Sequence, residues 1–190
     1  MRDADETDEQ LLTRYAQGDA PAFETLYRRH EMRVWRYLER NVANRATADE
    51  LMQEVWFAVA REAPRYRANA RFTSWLFTIA RNRMIDSIRT TRPQLSLETV
   101  GYEADTVVAQ LTTEPSVGPL AAVLARDDAS ALAQAMSQLP REQRDAFLLQ
   151  VEGDLSVDEV AAITRCSAET TKSRLRYART KLRTLLGEYA

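Results

Sequence analysis

The sequence predicts an all-α chain of two small helical domains joined by a flexible linker, and three observations lead there. Gly and Pro are scarce, at 5 and 6 of 190 residues, while Ala, Leu, Arg and Glu are abundant. That mixture favours helix. Apolar residues recur at three- and four-residue spacing through most of the chain, the period of an amphipathic helix. The periodicity fails from Pro93 to about Gly118, where Pro93, Gly101, Pro115, Gly118 and Pro119 punctuate the chain. The expected organisation is therefore a domain over 1–92, an acidic linker over 93–128 and a second domain over 129–190.

The elements follow in order. A short helix runs from Asp8 to Gln17 and stops at Gly18. A long one runs from about Ala20 to Val42, with Phe23, Leu26, Tyr27, His30, Val34 and Leu38 at helical spacing. Thr47 to Glu50 reads T-x-x-E, a capping box opening a helix that Pro64 ends near Glu62. The polar connector RYRANAR precedes a helix capped by Thr73 or Ser74 and running to about Thr91, before Pro93. Within the linker a short helix is expected around Val107. PLAAVLARDDASALAQAMSQL is helical again, Pro140 stands at the first position of the next helix, and Gly153 ends that helix near its C′ position. Ser156 to Glu159 is an S-x-x-E capping box, with Leu155 and Val160 as a hydrophobic staple. Its helix runs to about Thr164. After the turn TRCS, Ser167 caps a last helix whose first turn carries Glu169, suited to the helix dipole.

Charge is segregated. The chain is net −2. Residues 1–10 are net −4, residues 61–92 net +6, the linker 93–128 net −5 and residues 167–183 net +5. Two basic patches thus flank an acidic segment, a pattern that points to nucleic acid. No apolar run approaches the roughly 20 residues needed to span a bilayer. The acidic start MRDADETDEQ has no apolar stretch of the signal-peptide kind, so the expected compartment is the cytoplasm. A single Cys excludes an intramolecular disulfide.

The last two helices, joined by a tight turn, form a helix-turn-helix. On the second, Thr171, Leu175, Ala178, Leu182 and Leu185 make an inward stripe. Lys172, Arg176, Arg179 and Arg183 make a stripe about 110° away, by the helical advance of ~100° per residue. Arg174 and Lys181 flank the apolar stripe on its other side. The cations can reach phosphates, and Ala168, Glu169, Thr170 and Lys172 in the first turn can reach base edges in a major groove. The competing structural reading is a solvated amphipathic helix.

The stretch RYRANARFTSWLFTIARNRMIDSIR interleaves arginines with Tyr66, Phe72, Trp75 and Phe77. Aromatics stack on unpaired bases and Arg neutralises phosphates. Asn82, Asp86 and Arg89 share one helical face, and Asn suits bidentate recognition of a base, here a flipped-out one. The competing reading puts Trp75, Leu76 and Ile79 in the core. On TADELMQEVWFAVARE, Leu51, Val55, Ala58 and Val59 face inward. Glu50, Gln53, Glu54 and Phe57 face outward, a surface suited to a protein partner of basic character.

These stretches resemble bacterial RNA polymerase sigma factors of the extracytoplasmic-function type. The resemblance lies in FETLYRRHEMRVWRYL, ATADELMQEVWFAVAR, RFTSWLFTIARNRMIDSIR and LPREQRDAFLLQVEGDLSVDEVAAI…KSRLRYARTKLR. It implies a factor that binds core RNA polymerase and directs it to promoters. The first domain would recognise and melt the minus-10 element through Arg65, Arg67, Arg71, Phe72, Trp75, Arg81, Asn82, Arg83, Asp86 and Arg89. The second would bind minus-35 DNA through Thr170, Thr171, Lys172, Ser173, Arg174, Arg176 and Arg179. Asp49, Glu50, Gln53, Glu54 and Phe57 would dock on the polymerase clamp, and the linker would thread toward the active centre. An anti-sigma factor is a further implied partner; no cofactor or metal is. One departure from the family pattern is Glu169-Thr170-Thr171, where Gly-Thr-Val is common, which leaves the minus-35 base preference open.

Two rival readings are a one-component helix-turn-helix regulator that does not associate with core polymerase, and a nucleic-acid enzyme. The first would need a ligand pocket or dimer face in the N-terminal half. The second lacks parts: His30 and Cys166 are the only residues of their types, so no His/Cys metal cluster can form. His30 is expected to be structural and Cys166 to be a small core residue. In the free chain the acidic segments and a collapse of the two domains onto each other are expected to mask DNA-facing surface.

Overall fold

A computed structural model describes residues 6–42, 44–67, 70–91 and 129–187. The linker and its expected helix around Val107 lie outside these residues. Eight α-helices are described: α1 (Asp8–Ala16), α2 (Ala20–Glu39), α3 (Arg45–Glu62), α4 (Phe72–Thr91), α5 (Ala129–Ser137), α6 (Arg141–Gly153), α7 (Val157–Thr164) and α8 (Ala168–Gly187), with a 3-10 turn over Ala63–Arg65. No strand occurs among the described residues, so the all-α expectation holds.

In the N-terminal unit α1, α2, α3 and α4 pack around Leu11, Leu12, Leu26, Val34, Leu38, Leu51, Val55, Val59, Phe72 and Leu76. Gly18 takes φ +101°, a left-handed conformation that reverses the chain between α1 and α2 with no Cβ penalty. His30 is buried, and its Nε2 lies 2.7 Å from Asp8 Oδ2, which ties α1 to α2. The Asp8 carboxyl loses hydration on burial, which favours its neutral form. The His30 and Arg29 partners outweigh this and hold it below its ordinary pKa.

The starts of two helices differ from expectation. Asn44, not Thr47, caps α3: its Oδ1 accepts from the Thr47 backbone N–H at 2.8 Å. Asn is the stronger cap of the two, and taking it adds three residues of helix. In α4, Thr73 lies inside the first turn and is buried, so it cannot cap. The Phe72 N–H instead donates to Glu9 Oε1 of α1 at 2.8 Å, a cap supplied from 63 residues away.

In the C-terminal unit Pro140 stands just before α6, not at its first helical position, and makes no side-chain cap; the left-handed residue at the other end is Asp154 (φ 52°), not Gly153. Gly153 serves close approach. A Cβ there would stand 2.8 Å from Leu155 Cγ and 3.4 Å from Phe77 of α4. The capping box of α7 is present in full: the Glu159 N–H donates to Ser156 Oγ, and the Ser156 N–H donates to Glu159 Oε2. Arg165 (φ 57°) ends α7, and the Thr170 N–H donates to Ser167 Oγ at 3.0 Å to open α8. The inward stripe of α8 is Thr171, Leu175, Ala178, Leu182 and Leu186; Leu185 is only half-buried.

The two units are packed directly on each other. Helix α6 lies against α2 and α4, and α7 against α4. One continuous apolar cluster includes residues of both units.

Candidate functional site

Helix α4 presents the first candidate surface. Its inner face, with Phe72, Leu76, Phe77, Ala80 and Met84, is locked in the core. That fixes the outward direction of Asn82, Asp86 and Arg89, all exposed, with Arg83 half-exposed between them. Arg65, Arg67 and Arg71 stand exposed on the segment leading into α4. Two expected members of this surface lie elsewhere. Phe72 is fully buried, tilted against His30 and Trp75, and is a core residue. Trp75 is half-buried between Phe72 and Tyr66, with ring centroids at 6.0 and 5.0 Å. Burying these rings stabilises the helix, so they support the surface from below.

Arg81 is in the expected place but is not open to solvent. Its Nε donates to Asp145 Oδ2 of α6 at 2.7 Å, and its Nη1 donates to the Ile163 carbonyl at 3.2 Å. Arg71 Nη1 donates to the Asp154 carbonyl at 3.1 Å, and its guanidinium lies 3.6 Å from the carboxylates of Asp154 and Glu159. The Ser74 hydroxyl donates to Glu159 Oε1. Partial burial pushes the Glu159 carboxyl up; its bonds from Ser74 and Ser156 and the charge of Arg71 outweigh that and hold it below its ordinary pKa.

The second surface is α8. Lys172 and Arg176 are exposed, while Thr170, Ser173 and Arg174 are half-buried. Arg176 lies over the Tyr177 ring, 5.2 Å from its centroid. Thr171 is fully buried, and its hydroxyl donates to the Ser167 carbonyl, so it anchors the helix start and presents nothing to a groove. Arg179 donates to Gln150 Oε1 of α6 at 2.6 Å. Cys166 is half-buried in the turn, not a core residue. Its Sγ lies 3.1 and 3.2 Å from the hydroxyls of Thr164 and Thr171, and Arg174 reaches it at 3.6 Å.

The third surface is α3. Asp49, Glu50, Gln53, Glu54 and Phe57 are all exposed, and Phe57 is 74% exposed, a large apolar ring held in water. Phe57 and Gln53 border an open groove of about 400 Å³ floored by Phe23, Tyr27, Met52 and Trp56. Asp49 is steadied by the Trp35 Nε1–H at 2.8 Å.

Sequence reasoning missed the polar seam between the units. Asp145 and Glu152, one on each of two turns of α6, are buried. Asp145 accepts from Tyr37 Oη at 2.8 Å as well as from Arg81. Glu152 accepts from Arg36 at 3.0 Å and Arg40 at 2.7 Å, while Arg33 donates to its carbonyl at 2.6 Å. Burial, and then the charge of Asp145, push the Tyr37 phenol well above its ordinary pKa. The available signal was spacing: acids seven apart on α6, and Arg33, Arg36, Tyr37 and Arg40 on one face of α2.

Comparison with known proteins follows the same division. Residues 26–94 match Sigma-70 region 2 and residues 129–182 match Sigma-70, region 4. The chain is 33% identical to the RNA polymerase sigma factor CarQ of Myxococcus xanthus, over 93% of this chain and 96% of that one. It is 31% identical to the ECF RNA polymerase sigma factor SigM of Mycobacterium tuberculosis, over 95% of this chain and 85% of that one. In fold it is similar to CnrH in complex with the cytosolic domain of CnrY, with a TM-score of 0.64 at 22% identity, covering 97% of this chain and 100% of that one. It is also similar to the sigma factor RpoE of Bartonella quintana in complex with the anti-sigma factor NepR, with a TM-score of 0.65 at 22% identity, covering 87% and 96%.

Proposed function

The chain belongs to the RNA polymerase sigma factors of the extracytoplasmic-function type, and from that premise we propose how its surfaces act at a promoter. As a sigma factor it binds core RNA polymerase and directs it to promoters for transcription initiation. It works as an initiation factor, not as an enzyme, and acts in the cytoplasm with the polymerase. No described helix is long and apolar enough to cross a membrane.

The α3 surface docks on core polymerase. Its carboxylates complement a basic partner, and Phe57 supplies the apolar anchor whose desolvation gives affinity. The α4 surface acts on the minus-10 element. Arg65, Arg67, Arg71, Arg81, Arg83 and Arg89 neutralise the strand, while Asn82 reads an extruded base with its amide. The α8 surface sits in the major groove at minus-35, with Thr170, Lys172, Ser173, Arg174 and Arg176 toward the DNA, and Arg179 supporting the helix from Gln150. The acidic linker joins domains of 1–92 and 129–190 and passes through the polymerase. An anti-sigma factor is a fitting partner, because one of the matched structures is a sigma factor held by one.

The observation that carries this reading is the outward face of α4. Asn82, Asp86 and Arg89 stand exposed together on a helix whose inner face is immobilised in the core. Such rigidity is what base recognition needs. Run-off transcription with purified core polymerase tests it: promoter-dependent transcripts are expected only when this chain is added. A chain that binds promoter DNA but neither binds core nor supports transcripts would instead be a helix-turn-helix regulator.

A further inference from the structure

One side chain in the first turn of α8 is left free to read a base. Ala168 carries no hydrogen-bonding group in its side chain. Thr170 is half-buried, and its hydroxyl lies 2.9 Å from that of Ser167. Thr171 is fully buried, with its hydroxyl on the Ser167 carbonyl. Glu169 is exposed and makes no ion pair or hydrogen bond among the described residues. Its carboxylate is not needed as a cap, because Ser167 Oγ already accepts from the Thr170 N–H at 3.0 Å. It stands about 160° around the helix from the buried Thr171, at ~100° per residue. Lys172 and Arg176, both exposed, share that outward face. The end of α8 that meets a groove therefore presents a carboxylate first, with the cations behind it.

We propose that Glu169 determines specificity at minus-35 by accepting a hydrogen bond from the amino group of a cytosine in the major groove, so that C is selected at one position of the element. The inference rests on the assignment of α8 to the minus-35 duplex. In the major groove guanine shows only its N7 and O6 acceptors, and thymine only O4 and a methyl group, so a carboxylate finds no donor on either. Adenine offers its N6 amino group, but the N7 acceptor beside it turns a lone pair toward the second carboxylate oxygen. Cytosine offers its N4 amino group with only a C–H beside it, and so satisfies a carboxylate with no opposing acceptor. On a wrong base the same carboxylate is desolvated and unpaired among phosphates of like charge. Lys172 and Arg176 neutralise phosphates, and they do so equally for every sequence. Affinity thus comes from the cations and discrimination from Glu169.

The test uses the full chain with core RNA polymerase and a promoter that it transcribes, with the minus-35 segment randomised. DNA recovered from heparin-resistant complexes is sequenced. Wild type is expected to enrich C about tenfold over G or T at one position. Glu169→Ala is expected to lose that preference and to keep the preferences at every other position. Glu169→Gln is expected to move it to A, because a Gln amide bonds adenine N6 and N7 together. Glu142→Gln, which neutralises an exposed acid of α6, is expected to reproduce the wild-type pattern. A Glu169 that only favours the helix dipole acts alike on every sequence, so variants that change recovery evenly over all positions overturn the proposal. A wild type with no C preference anywhere in the segment overturns it too, as does a C preference that survives in Glu169→Ala. In each of those cases run-off transcription still supports the promoter assignment. A wild-type holoenzyme that transcribes no promoter removes that assignment, and the inference with it.

Discussion

Tyr37→Phe isolates the seam without changing any charge. Tyr37 is fully buried in α2, its ring meets Phe77 edge-on at 5.4 Å, and its hydroxyl donates to Asp145 at 2.8 Å. Phe keeps the ring and its packing, so the N-terminal unit should fold as before. What is lost is one hydrogen bond to a carboxylate, worth about 1.5–3 kcal/mol. That figure is an upper bound on the change in closure, because Asp145 keeps Arg81 and can regain water when the units part. In population terms it corresponds to roughly a ten- to 150-fold rise in the open-to-closed ratio. Hydrogen exchange followed by mass spectrometry measures this directly. Amides at the end of α6 and along the α4 face that meets it are expected to exchange faster in the variant. Those of α1 and α3 should be unchanged, since neither meets α6 through this bond. A uniform acceleration over the N-terminal unit would mean that Phe disturbs the core. An exchange pattern identical to wild type would refute the idea that the Tyr37–Asp145 bond contributes to closure.

Three further outcomes are expected. Asn82→Ala should impair strand opening more than duplex binding, since an extruded base exists only after melting; a loss of about 1–3 kcal/mol is the scale of a bidentate base contact, and permanganate reactivity equal to wild type would contradict it. Glu50→Lys with Glu54→Lys should leave circular dichroism and melting nearly unchanged, both residues being exposed, while core polymerase affinity drops in a titration; retained affinity would remove α3 from the docking surface. Asp8→Asn should lower stability at neutral pH by about 1–2 kcal/mol. The Asp8 pKa is depressed in the folded chain, so its contribution is present above the ordinary carboxylate pKa of about 3.9 and is lost as pH falls through the lower folded value. Urea denaturation should therefore separate variant from wild type at pH 7 and bring them together in acid, and an equal difference at both would argue against the carboxylate's role.

The features read correctly from the sequence share one physical property: their partners lie within a turn of helix. Ser156 and Glu159 are three residues apart, and each satisfies the other's orphan N–H, so the start of α7 could be read from four letters. The same holds for Ser167 at the start of α8, for the reversal at Gly18, and for the apolar stripes that place Leu51, Val55 and Val59 inward and leave Glu50, Gln53 and Glu54 outside. The exposed Asn82, Asp86 and Arg89 follow from that periodicity, because fixing the inner face of a helix fixes the outer one.

Where two local signals competed, the reading failed by a few residues. Asn44 and Thr47 both resemble caps, and only the observed hydrogen bond separates them. Phe72 looked like a stacking platform because aromatics in an Arg-rich stretch carry either meaning; its complete burial against His30 decides for the core.

By itself the sequence determined the helices of the described residues, the helix-turn-helix, the segregation of charge and the family. Tertiary structure alone decided which charges are available. Glu9 caps α4 across 63 residues, and Arg33 reaches the Glu152 carbonyl across 119. Arg81 and Asp145, 64 apart, neutralise each other. Helical spacing constrains side chains three and four residues apart, whereas a contact across such separations exists only after the chain has closed a long loop and buried the apolar faces between. Composition shows that the arginines are present, and only the packing of α6 against α2 and α4 shows which of them are already held.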